Sequence, residues 1–79
     1  MNVEFKAWGV VRAVSGYPAA IDRIADLINE PHLATHIVKR ERVSTETLII
    51  YYHGSANWQQ IETEIAGRIS DEWARKDNS

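Results

Sequence analysis

The strongest constraint on the fold lies at Thr47 to His53, which reads Thr-Leu-Ile-Ile-Tyr-Tyr-His. It is the longest unbroken apolar run in the chain, rich in β-branched and aromatic residues, and Gly54 ends it. Such a run reads as a strand buried on both faces, and so as the centre of a sheet. A central strand needs a partner on each edge and a layer of side chains over each face. The rest of the chain must supply both.

Val3 to Val14 alternates. One parity holds Val3, Phe5, Ala7, Gly9, Val11 and Ala13, with no charge; the other holds Glu4, Lys6, Trp8, Val10, Arg12 and Val14. Period two with the charges on one parity predicts a half-buried strand that turns Trp8, Val10 and Arg12 outward. Gly9 is a place where a bulge would reverse that parity midway. Ser15-Gly16-Tyr17-Pro18 breaks the strand, and proline suits a first helical turn because its missing N–H would be unpaired there. Ile21, Ile24, Ala25 and Ile28 then fall at i, i+3, i+4 and i+7, widened by Leu27, which predicts a helix with one buried stripe. Pro31 is expected to end it near Asn29 or Glu30.

His32 to Arg42 is the second predicted strand, running through Lys39-Arg40-Glu41-Arg42 into the polar turn Val43-Ser44-Thr45-Glu46. A turn centred on Ser44-Thr45 sets Ile37 opposite Tyr52, Val38 opposite Tyr51, Arg40 opposite Ile49 and His36 opposite His53. The last helix begins near Asn57, which forms a capping box with Gln60; Ser55 is the rival cap. Trp58, Ile61, Ile65, Ile69 and Trp73 mark its buried face. Glu64 with Arg68, Asp71 with Arg75 and Glu72 with Lys76 are i, i+4 pairs, and Gly67 suggests a close packing contact.

The predicted order is β-α-β-β-α, an α+β fold. It is a three-stranded antiparallel sheet with two helices on one face and the 47–53 strand in the middle. It resembles the split β-α-β of ferredoxin-like folds without their last strand, a likeness of architecture that carries no function. The chain's 79 residues allow one domain, assigned to residues 1–76 with a frayed tail at 77–79. With no cysteine, disulfides and thiolate metal sites are excluded. A net charge of −2 gives no general attraction to nucleic acid or anionic membranes. The N-terminus shows no secretion signal and no run approaches a membrane span, so a cytoplasmic protein is expected.

Function is sought on the sheet face turned away from the helices. In the expected register this face carries Trp8, Val10 and Arg12, then His36, Val38 and Arg40, then Ile49, Tyr51 and His53. Aromatic and arginine side chains among aliphatics make a partner-binding surface, for another protein or a second copy. His36 and His53 lack the carboxylate or cysteine that a zinc site would need, and no activated nucleophile is evident. The expectation is therefore a non-enzymatic protein-interaction module, without metal or cofactor, acting as a regulator, inhibitor or adaptor. Two alternatives stand beside it. One is nucleic-acid binding through the same face and the Lys39–Arg42 hairpin. The other is a dimeric domain that responds to a small ligand.

Overall fold

The computed structural model describes residues 3–77, with side chains described through Ala74. The elements are β1 (Glu4–Trp8), β2 (Val11–Ser15), α1 (Pro18–Leu27), α2 (Pro31–Ala34), β3 (Ile37–Ser44), β4 (Thr47–Tyr52) and α3 (Trp58–Asp77). The strands form one antiparallel sheet in the order β1-β2-β4-β3. Thus the α+β class is as expected, but the sheet has four strands rather than three, and three helices rather than two. The 47–52 strand is internal, as its composition demands. Strands β2 and β3 are each antiparallel to β4, so they run parallel to one another with β4 between them. This is the split β-α-β, with α1 as its crossover. The place beyond β2, vacant in the expected fold, is taken by β1.

The extra strand arises at Gly9. A strand from Val3 to Val14 would be twice the usual length. Instead the chain reverses through Gly9-Val10, with Trp8 paired to Val11 and Glu4 to Ser15. Gly9 sits at φ 61°, whereas no non-glycine residue among those described takes a positive φ. Glycine at the first loop position followed by an ordinary residue is the pattern of a II′ turn, whose twist matches that of the flanking strands. Each residue after Gly9 therefore faces opposite to the single-strand expectation.

Helix α1 starts with Pro18 in its first turn and buries Ala20, Ile21, Ile24 and Leu27. Pro31 does not simply end it. The chain leaves α1 at Ile28, and Pro31 opens the single-turn helix α2, which buries Leu33. The Ala34 amide closes that turn on Glu30 O at 2.8 Å. Thus the stretch read as the start of a strand at His32 is helical, and the strand begins at Ile37. Asn57 caps α3 as expected: Gln60 N donates to Asn57 Oδ1 at 3.3 Å, and Asn57 Nδ2 donates to Gln60 Oε1 at 3.2 Å. Ile61, Ile65 and Ile69 are buried along α3, with Trp58 and Trp73 packed at either end of the stripe. Gly67 makes no close contact, since an added Cβ would meet nothing within 4 Å. Helix α3 continues through Asp77, so the frayed tail is not seen at that residue; Asn78 and Ser79 lie outside the described residues.

One apolar cluster joins Val14, Leu48, Ile50 and Tyr52 of the sheet to the buried residues of all three helices. All the helices therefore lie on one side of the sheet. No helix among the described residues is long and apolar enough to cross a membrane.

Candidate functional site

The other side of the sheet is bare. Strand pairing arranges its side chains in three rows across the four strands. Trp8, Val11, Tyr51 and Lys39 form the first row, and Lys6, Ala13, Ile49 and Glu41 the second. Glu4, Ser15, Thr47 and Ser44 form the third. Trp8 is 60% exposed, whereas Val11, Ala13, Ile49 and Tyr51 are half-buried by their neighbours. Lys39 Nζ lies 5.5 Å from the centre of the Tyr51 ring, within cation–π range. The centre is apolar and the two outer strands carry charges of both signs.

Of the nine residues expected here, Trp8, Ile49 and Tyr51 are on this face. Val10 lies in the β1–β2 turn and is 38% exposed. Val38 occupies a bulge, 61% exposed, because pairing passes from Ile37–Tyr52 directly to Lys39–Tyr51. His36 and His53 sit just beyond the strand ends, both exposed, with His53 N donating to His36 O at 3.0 Å. Arg12 and Arg40 are on the opposite, helix-covered side. The Gly9 turn reverses Arg12, and the Val38 bulge shifts Arg40 from Ile49 to Ile50. The expected pairing of Val38 with Tyr51 and of Arg40 with Ile49 is thereby replaced.

Arg12 is 6% exposed and bound on every side. Its Nε lies 3.1 Å from Glu62 Oε1, its guanidinium is 4.9 Å from the Trp58 ring centre, and Nη1 donates to the carbonyls of Gly9 and Val11. Burial pushes the Glu62 carboxyl above its ordinary range, with Arg12 acting against that rise. Burial also raises the Tyr52 phenol, and the Glu62 charge adds to the effect. The Tyr52 hydroxyl has no hydrogen-bond partner among the described residues. This cluster joins β2 to α3 inside the molecule and offers nothing to a ligand.

The Lys39–Arg42 run is likewise spent on the fold. Arg40 Nη1 donates to Ile28 O at 3.3 Å and to Asn29 Oδ1. Arg42 pairs with Asp22 at 2.8 Å and donates to Ser44 O at 2.6 Å and Thr45 O at 2.7 Å. Those two bonds hold the β3–β4 turn, which lacks an Asn-Gly pair and sits at Thr45-Glu46, one residue later than expected. Only Lys39 of the run's cations reaches the open face.

A separate cleft of about 370 Å³ opens between α2, the β4–α3 loop and α3, lined by His32, His36, Asn57, Gln60 and Glu64 among others. His32 Nε2 lies 2.7 Å from Glu64 Oε2, so a histidine–carboxylate contact exists where no such partner was anticipated. Asn57 and Gln60 are engaged in the helix cap. No group of three or more His, Cys, Asp or Glu among the described residues is arranged to hold a metal ion.

Comparison with protein-family models, with curated proteins and with solved structures finds no match. The site reading therefore rests on this geometry. Lys6, Val11, Ala13, Lys39 and Glu41 were not among the nine residues expected on this face. The signal that could have found Val11 and Ala13 is strand length: twelve residues through a glycine is too long for one strand of a small sheet. The bulge that brings Lys39 and Glu41 outward leaves no mark in the local sequence.

Proposed function

We propose that this chain is a small non-enzymatic interaction module that binds a protein surface through the uncovered face of its sheet. The observation that carries this reading is the row Trp8–Val11–Tyr51, an aromatic-rich apolar stripe with a tryptophan largely in solvent. A monomer gains little from a tryptophan there, whereas buried aromatics dominate binding energy at interfaces. The charges at the rim suit specificity and orientation rather than affinity. Nucleic-acid binding is less well supported, because Arg40 and Arg42 are held by the fold and the face carries Lys6 and Lys39 against Glu4 and Glu41. Trp8→Ala and Tyr51→Ala are each expected to weaken association by about 2 kcal/mol or more. Thermal stability of the exposed Trp8 variant should shift by less than about 1 kcal/mol, the scale of a cross-strand pair. Association unchanged in both variants would refute the reading.

A further inference from the structure

Building on the open-face reading, we infer that the face is self-complementary and that its partner is a second copy of this chain. The two sheets pack face to face about a two-fold axis parallel to the strands. The axis runs between β2 and β4, the two inner strands. Rotation about it keeps each row in place and exchanges the sides of the sheet, so β1 lies over β3 of the partner and β2 over β4.

The consequences can be read row by row. In the first row Val11 meets Tyr51, and Trp8 meets Lys39, a ring over a cation. In the second Ala13 meets Ile49, and Lys6 meets Glu41. Small side chains sit over large ones at the centre, as interdigitation requires. Opposite charges meet at the second-row edges, and each contact occurs twice because the interface is isologous. The rim side chains that must meet are long, so they can span the angle of about 30° at which aligned sheets pack.

The perpendicular two-fold axis that overlaps all three rows runs through the second row, and it fails on charge. It maps the second row onto itself without exchanging sides, setting Lys6 against Lys6 and Glu41 against Glu41. Like charges placed opposite one another are destabilising. Between these two fully overlapping arrangements, charge selects the first.

The face is small. Four strands at about 4.8 Å spacing and five residues at about 3.4 Å cover about 19 by 17 Å. That is below the span of a standard stable interface, so the dimer should be weak and reversible.

Charge reversal tests the pairing. Sedimentation equilibrium of the full chain is expected to show a monomer–dimer equilibrium across the micromolar range. K6E alone and E41K alone should each raise the dissociation constant about tenfold at low salt, because each creates two like-charge contacts per dimer. The double variant K6E/E41K should return to near wild-type association. An equimolar mixture of the two single variants should form a heterodimer. In it the acid introduced at position 6 meets the base introduced at position 41, and the native Glu41 of one chain meets the native Lys6 of the other. Both positions are exposed, and circular dichroism of each variant checks the fold. A chain that stays monomeric throughout the range, or single variants that associate like wild type, or a mixture that fails to pair, would overturn the proposal. A monomeric wild type that loses capture of a different protein on Trp8→Ala would overturn the self-dimer while leaving the open-face reading intact. Trp8→Ala and Tyr51→Ala both without effect on any association would remove both.

Discussion

Arg12 shows what a single buried charge demands of a small domain. A guanidinium that is 6% exposed must satisfy its donors locally, and here it does so with Glu62, two carbonyls and the Trp58 ring. Removing one partner of such a pair leaves the other charge poorly solvated, which is worse than having neither. Arg12→Leu is thus expected to lower stability by about 2–3 kcal/mol. Arg12→Leu with Glu62→Leu should recover most of that loss, because two leucines fill the same space without desolvated charge. Urea unfolding of the two singles and the double, read as a double-mutant cycle, gives the coupling directly. In the sequence Arg12 is indistinguishable from a surface arginine, since Glu4, Lys6 and Arg12 share one parity. Only the turn at Gly9 separates them.

At the level of elements, local signals were most informative where one residue type has one structural use. The 47–52 strand, the α1 stripe and the α3 stripe with its Asn57 cap follow from periodicity and capping chemistry. Gly9 and Pro31 were harder, because each has two uses. A glycine in a strand serves a bulge or a reversal, and a proline after a helix stops it or opens the next one. The β3 bulge at Val38 puts Arg40 on the helix side, where it docks on Ile28 and Asn29 just past α1, and no local residue announces it. That is why three of nine expected face residues are where the alternation put them. Two glycines give opposite tests of this reading. Gly9→Ala places a side chain at φ 61° and is expected to destabilise the β1–β2 hairpin by about 1–2 kcal/mol. Gly67→Ala, in open space on α3, should stabilise by about 0.8–1.0 kcal/mol. Thermal melts of both variants check the two signs together.

For the molecule as a whole, α3 is the element that ion pairs fasten to β2, α1, α2 and the link between those two helices. Of the i, i+4 pairs expected within it, Glu64 with Arg68 gives way to longer-range partners. Glu62 pairs with Arg12, Glu64 with His32, Arg68 with Glu30 and Glu72 with Arg23. The side chains of Arg75 and Lys76, needed for the other two expected pairs, lie outside the described residues. These links make stability depend on acid. The Arg68 guanidinium, 2.7 Å from Glu30, donates a hydrogen bond that holds the Glu30 carboxyl below its ordinary 4.5. The unfolded chain then binds a proton at Glu30 more readily than the folded chain does. Stability from this pair is complete at neutral pH and is lost as pH falls below about 4.5 toward the folded value. Glu62 has the opposite sign: its raised carboxyl takes up a proton first in the folded chain, which offsets part of the loss just above that range. Glu30→Gln should therefore be less stable than wild type at pH 7, and the gap should narrow as pH falls below about 4.5. Urea midpoints measured at pH 7 and at a series of values below 4.5 decide it. A gap of the same size at pH 7 and well below pH 4.5 would mean that Glu30 acts through packing rather than charge.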